Sequence, residues 1–373
     1  MSWLRIREFI RKEFIVLFRD KRNLPLIIVA PIIQLFVFGY VVNYDINYIS
    51  IALLDQARTQ ESRMLVNSFT AGGVFHVTNR VKNEHEMERL LLTRKVDLGV
   101  KIAPDMSSLI KEGKTAAVQI IADGGMSNMA AVRVAYAVVV LDKVNRQLIQ
   151  EIYPMEMHYG QIDARLRSWY NPNSYSRYFF IPGIVAFIIM LISLLFTSIA
   201  IIREKEAGTM EQLIVTPLKP GELIIGKTIP YIIISLAQMV VVMLLAVFWF
   251  GIPIMGNVWL LPLAASLFLL STLGIGLFIS TVSATQQQAM MTTFFFAVPF
   301  IMLSGFIFPI ANMPVFVQWL TYLNPLRYFL IIVRGVFLKG VGLSVLWPEY
   351  VAMTILGIIV FTTSVLRFRK RLD

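Results

Sequence analysis

The chain has 373 residues, 57% of them hydrophobic and only 15% charged, with a mean hydropathy of +0.69; soluble domains carry roughly a quarter charged residues, so the composition excludes an ordinary soluble fold and specifies an integral membrane protein. The net charge of +11 would suit nucleic acid in a soluble chain, but residues 1–24 hold seven Lys/Arg against three acids, the tail after Val365 four against one, and 45–177 a near balance of sixteen against fourteen; basic residues beside apolar runs follow the positive-inside rule and call for no nucleic acid. With no cysteine, a disulfide framework, a thiolate nucleophile and a Cys-based metal site are excluded.

Residues 1–22 place Trp3, Ile6, Ile10, Phe14, Leu17 and Phe18 on one helical face, with Arg5, Arg7, Lys12 and Arg19 largely elsewhere. This predicts a basic amphipathic helix lying in the headgroup region. A first span follows in 23–44; its long basic flank, and the lack of a small-residue cleavage site after Tyr40, make it a retained anchor rather than a cleaved signal. Within 45–177, strand-like runs at 49–54, 74–77, 98–102 and 117–122 alternate with helical patterns, the last a long helix at about 128–152. That alternation predicts an inserted extracytoplasmic α/β domain, its strand order left open.

The stretch 178–373 holds five more apolar runs, near 179–202, 229–250, 258–282, 289–310 and 347–366, of the length that crosses ~30 Å of hydrocarbon as a helix. Six spans return both termini to one side, and the basic tail Arg367, Arg369, Lys370 and Arg371 makes that side the cytoplasm. Pro309, Pro314 and Pro325 cut 310–340 into pieces too short to cross; with Trp319, Tyr322 and Tyr328 suited to an interface and Arg327, Arg334 and Lys339 costly in open lipid, it reads as a re-entrant or interfacial hairpin before the last span. The predicted fold is therefore an α-helical polytopic membrane protein: six transmembrane helices, an N-terminal amphipathic helix, a re-entrant hairpin and an inserted α/β domain.

The segment 203–228, held between the second and third spans, carries the most functional information. Thr209 and Gln212 have capping-box spacing, with the Thr hydroxyl expected to reach forward to a free amide. Glu211 lies in the first turn, where the helix dipole favours an anion. Gly208 offers the preceding helix a place to break, Pro217 ends a short helix and Pro220 opens the next. Arg203, Glu204, Lys205, Glu206, Gly208, Thr209, Glu211, Gln212, Leu213, Pro217, Pro220, Gly226 and Lys227 together resemble the cytoplasmic coupling segment of the type-2 ATP-binding-cassette (ABC-2) permeases. Phe18-Arg19-Asp20-Lys21, Trp169-Tyr170-Asn171-Pro172, Ser304 to Pro309 and Asn324-Pro325-Leu326-Arg327-Tyr328 sit in family order, so the resemblance covers nearly the whole chain. The inserted domain resembles the drug, small-molecule and sodium exporters of that family.

Other matches carry less. Gly221 to Thr228 satisfies the nucleotide-loop pattern G-x-x-x-x-G-K-[ST] letter for letter, but that chemistry needs a strand before the first Gly and free amides in the loop. Here two prolines precede it and a membrane span follows, so it reads as the start of a helix. Val138 to Asp142, which mimics the companion motif, lies far upstream in a helical pattern. His85-Glu86 begins a zinc motif whose fifth position is Arg89, and no metal or catalytic constellation is assigned. Polar span residues such as Ser193, Thr197, Ser198, Ser271 and Thr272 more often glue helices together than contact a substrate. Gln34, Thr197, Gln238, Met290 and Phe294 are the candidates for a substrate path.

The resemblance implies a bacterial inner-membrane permease subunit that exports an amphiphilic small molecule or drug. It implies no catalysis and no cofactor in this chain, with ATP and magnesium held by a separate ABC ATPase subunit. It implies pairing with a second copy or a related permease, contact with membrane lipids, and room for a periplasmic adaptor. Arg203, Glu204, Glu206, Gly208, Thr209, Glu211 and Gln212 would engage the ATPase. Lipid or glycolipid export and sodium export are the alternatives within this class. A membrane-anchored sensor or scaffold with a ligand-binding outer domain is the alternative of another class.

Overall fold

The computed structural model describes residues 3–19, 21, 23–41, 48–152, 169–171, 175–209 and 220–369. It divides into two compact units, one of 1–43 with 167–373 and one of 44–166.

The first unit begins with α1 (Trp3–Arg19) and α2 (Asn23–Val41). The buried face of α1 is Ile6, Phe9, Glu13 and Leu17, while Trp3 and Phe18 are exposed. This differs from the predicted apolar face: the stripe that packs inward is rotated and includes an acid, for a reason given below.

The second unit is an α/β domain built from β1 (Ile49–Asp55), α3 (Gln60–Ala71), β2 (Phe75–Arg80), α4 (Glu84–Leu92), β3 (Leu98–Ile102), α5 (Met106–Lys111), β4 (Val118–Ala122) and α6 (Ser127–Ile152). Its sheet runs β2-β1-β3-β4, with β1 parallel to both neighbours and β4 antiparallel. Because the chain steps from β1 one way to β2 and then back across to β3, right-handed crossovers put α3 and α4 on opposite faces. The cores agree: Ile49, Ile51, Leu53, Val100 and Ile102 face Leu65 and Phe69 of α3 and Val144 of α6, whereas Ala52 and Leu54 face Met87, Leu90 and Leu91 of α4. Arg133 of α6 reaches Asp97 at 2.7 Å, and Asp97 also accepts from the Ser50 amide at 2.9 Å and hydroxyl at 2.8 Å, pinning the long helix to the start of the sheet.

The first unit resumes with α7 (Ser176–Glu206), α8 (Pro220–Phe248), α9 (Leu260–Val282), α10 (Gln286–Met302), the short α11 (Val315–Thr321) and α12 (Pro325–Arg334), a π turn over Gly335–Lys339, and α13 (Leu343–Arg369). Among the described residues, four helices are long and apolar enough to cross a membrane: Ser176–Glu206, Gly221–Phe248, Leu260–Val282 and Leu343–Arg367. The central one is α7, whose most apolar window is 78% buried against 22% for α13. On α13, Val351, Ile355, Ile358, Ile359 and Leu366 are exposed, a surface stable only where the solvent is lipid. Two predicted spans are shorter than these. α2 has 19 residues and α10 has 17, and the predicted run 289–310 stops at Met302, where the chain turns through Gly305 at φ +80°.

Helices without a hydrophobic drive toward one another pack through small residues and hydroxyls. A Cβ on Gly274 of α9 would lie 2.9 Å from the Phe361 backbone of α13. Ser193 of α7 donates to Thr272 of α9 at 2.9 Å, Thr293 of α10 to Ser198 of α7 at 2.8 Å, and Ser364 of α13 to the Gly274 carbonyl at 2.8 Å. Near the last span, Asn324 caps α12 by accepting from the Leu326 amide at 3.0 Å while its own amide donates to the Phe300 carbonyl at 2.7 Å. Phe329 stacks on Phe268 at 4.4 Å.

Candidate functional site at the helix ends

The residues expected to form a coupling segment begin where α7 stops. Gly208 adopts φ +69° with open space around it, which breaks the helix as the sequence suggests. Thr209 folds back: its hydroxyl donates to the Glu204 carbonyl at 3.2 Å and contacts the Glu204 carboxylate. Glu211 and Gln212, and with them the forward half of the expected capping box, lie outside the described residues. Pro220 opens α8, so the whole nucleotide-loop match from Gly221 to Thr228 is helical. From Ile224 onward its amides sit within the i→i−4 ladder and cannot cradle phosphate.

Lys227 has other work. Its ammonium lies 3.3 Å from Glu13 of α1 and 3.0 Å from Glu204 of α7, and Lys12 of α1 lies 3.2 Å from Glu13 and 3.0 Å from Glu204. The four groups form a closed square of alternating charge contributed by three helices. Lys227 and Glu13 keep 6% and 3% of their side-chain surface, Lys12 keeps 43%. Lys227 also donates to the Ala200 carbonyl at 3.4 Å, and the Phe9 ring lies 5.9 Å from its ammonium. Gly226 permits this approach, since a Cβ there would sit 2.4 Å from the Phe9 ring. Burial alone would lower the Lys12 pKa, but Glu13 and Glu204 outweigh it and raise it. Two cations and two anions cancel, which is the condition under which burying them is tolerable. Glu13 thus explains the rotated face of α1.

Glu206 takes a separate role. Its carboxylate accepts from the Gln286 amide at 2.9 Å and from the Gln286 side chain. It therefore sits at the N-terminus of α10, where the helix dipole favours an anion. Arg203 is partly buried beside these groups in sequence. The end of α7 is in this way tied to α1, α8 and α10.

The candidate substrate-path residues are not gathered in one place. Thr197 is buried against Gly276 of α9. Gln238 of α8 is buried and donates to the Ile27 carbonyl of α2, and Gln34 is partly buried on α2. Met290 and Phe294 lie on an exposed apolar face of α10 with Met291, Phe295 and Val298. In the α/β unit, a cleft of about 630 Å³ opens beside Met106, Ile110, Val118, Leu141 and Leu148. Among the described residues no cluster of acids and histidines could hold a metal ion.

Lys227 is among the residues of the coupling-segment resemblance, but its pairing with Glu13 is seen only in the structure. The available signals were one lysine entering an apolar helix and one acid interrupting an otherwise apolar stripe. The description "ABC-2 family transporter protein" matches residues 21–366. The chain belongs to the ABC-2 family of transporter permeases. It is 33% identical over 383 residues to the Probable multidrug ABC transporter permease YbhS of Escherichia coli K12, covering 100% of this chain and 99% of that protein. It is 30% identical to YbhR of the same organism, over 98% and 99% of the two chains, and 26% identical to the Inner membrane transport permease YhhJ, over 96% and 95%. The family resemblance carried by Arg203 to Gln212 thus extends across this multi-pass membrane permease.

Proposed function

We propose that this permease is the membrane subunit of an ABC exporter in a bacterial inner membrane, moving an amphiphilic small molecule outward under the power of a separate ATPase. The observation that carries the reading is the convergence of α1, α7 and α8 on the charge square immediately before Gly208. A displacement of the segment that follows Gly208 has to move the end of α7, and α7 cannot move without pulling α1 and α8 through Glu204, or α10 through Glu206. That is the mechanical requirement for converting closure of an ATPase into rearrangement of membrane helices. The names of the relatives, multidrug and transport permeases, support export of drug-like amphiphiles. The exposed Met290–Phe294 face of α10 suits a seam with a second permease copy or an adaptable apolar path.

The deciding experiment is Glu206→Lys, at an exposed position. Membrane insertion is expected to persist, while export and substrate-stimulated ATP hydrolysis by the partner fall at least tenfold. Export at the parental rate with normal assembly would remove the coupling role. Because the chain has no cysteine, single cysteines at the exposed Lys114 and Lys205 test the six-span topology with both termini inside. An impermeant thiol reagent should label position 114 and not 205 on cells with a permeabilised outer membrane.

A further inference from the structure

Another charge is withdrawn from water elsewhere in the membrane unit, and it has no counter-charge among the described residues. Arg334 closes α12. Its Nη1 donates to the Gly305 carbonyl at 3.2 Å, and its guanidinium lies 3.8 Å from the Phe179 ring centroid and 6.0 Å from that of Phe306. Its Nε and Nη2 are buried and find no acceptor among the described residues, nor does any described carboxylate pair with it. Those two nitrogens are the pair whose N–H bonds run parallel along one edge of the guanidinium, the edge that receives two oxygens of a carboxylate or phosphate side-on. The surroundings are shaped around the group. A Cβ on Gly183 would fall 2.4 Å from the Phe306 ring and 3.5 Å from Arg334 Nη2, so glycine is what lets ring and guanidinium lie against α7. Phe179, Ile307 and Phe308 beside it in the chain are exposed apolar side chains, a surface for a hydrocarbon body.

An uncompensated guanidinium among aromatic rings is unfavourable unless an anion completes it. We propose that the Nε/Nη2 edge of Arg334 binds the carboxylate, phosphate or sulfate head of an anionic amphiphile, with its apolar body against Phe179 and the 307–308 rim. Resting on the exporter reading, this makes Arg334 a specificity-determining residue for anionic cargo. As a binding site alone, it stands without that reading.

The test uses the full chain in phosphatidylcholine nanodiscs, with dodecyl phosphate, dodecyltrimethylammonium and a neutral dodecyl maltoside as probes. Dodecyl phosphate should bind Arg334→Gln at least tenfold more weakly than the parent, and Arg334→Lys, which keeps the charge but loses the fork, severalfold more weakly. The cationic and neutral probes should bind all three proteins equally. Equal dodecyl phosphate binding by parent and both variants, or an equal loss for all three probes, would overturn the assignment. Should Arg334→Gln fail to fold, the parent and Arg334→Lys comparison decides alone. The source of the anion is read separately. Retention of phosphatidylglycerol by the parent and not by Arg334→Gln in native mass spectrometry assigns a resident lipid. Stimulation of the reconstituted ATPase by dodecyl phosphate, lost in the variant, assigns cargo. Binding without stimulation by any amphiphile would count against the exporter reading and leave the anion site standing.

Discussion

Two of the places where the membrane unit buries charge treat it in opposite ways. At the end of α7, Lys12, Glu13, Glu204 and Lys227 cancel one another within a square whose edges are 3.0–3.3 Å. At the end of α12, Arg334 has one carbonyl, an aromatic face and no anion among the described residues. A closed set of charges resists separation of the helices that carry it, so it suits a joint. A lone cation is a standing demand for a ligand.

The sharpest way to break this comparison is to remove one charge from each place. Lys227→Met removes the more buried cation facing Glu13 and Glu204 and leaves the half-exposed Lys12, and truncating one partner of a buried pair costs about 3–5 kcal/mol; thermal unfolding in detergent should register that loss. Glu13→Met/Lys227→Met keeps the remaining Lys12–Glu204 pair neutral and should recover most of it, since apolar replacement of a whole buried pair is often near neutral. Arg334→Met should be neutral or stabilising in the same assay, because it removes a charge that no described anion offsets. If Arg334→Met proves as destabilising as Lys227→Met, the two places do not differ as described.

A smaller effect grades the square internally. Lys12 contacts the same two carboxylates as Lys227 but keeps 43% of its side-chain surface, so water can take over part of its role. Lys12→Ala should cost about 1 kcal/mol or less. Its raised pKa has a sign: the contribution is fully present below the ordinary lysine value near ~10.4 and is lost only as pH rises through the higher folded value. The square should therefore be insensitive to pH from neutrality to mildly alkaline conditions, and unfolding temperatures of parent and Lys12→Ala should run parallel there.

How much of this could be read in advance depended on distance along the chain. The breaks at Gly208 and Pro220 are local chemistry, a left-handed position and a first-turn proline, and both ends of the segment fall where the residues put them. The nucleotide-loop match was resolved by context, because two prolines before it and an apolar run after it describe a helix. Lys227 as a partner of Glu13 was not legible, since 214 positions separate them and only α1 packing on α8 brings them together. The same hidden acid turned the face of α1 away from its apolar wheel. The shortened α10 came from Ser304 and Gly305, whose turn interrupts a run that hydropathy alone carries on. In the α/β domain, alternation gave the elements, but the placement of β1 between β2 and β3 rests on pairings that no local pattern encodes.

The smallest expected effect lies in the α/β domain, at Glu61, a carboxylate held mainly by hydrogen bonds. Ser107 sits 2.6 Å from Glu61 and 2.6 Å from Thr59, and Thr59 also accepts from the Ser62 amide at 3.3 Å. One hydroxyl supplies one proton, and Ser107 can give it to the acceptor-only Glu61 carboxylate. The Ser107 bond is the main reason the Glu61 pKa lies below the ordinary carboxylate value. A depressed carboxylate contributes stability above the unfolded pKa, near ~4.3 for glutamate, and loses it as pH falls through the folded value. Ser107→Ala should therefore destabilise the full chain by about 1 kcal/mol at pH 7, and the gap should narrow below pH ~4. Hydrogen exchange at the amides of α3, compared between parent and variant at the two pH values, reads that difference within this domain. A gap that persists unchanged at acid pH would assign the bond to packing rather than to the charge on Glu61.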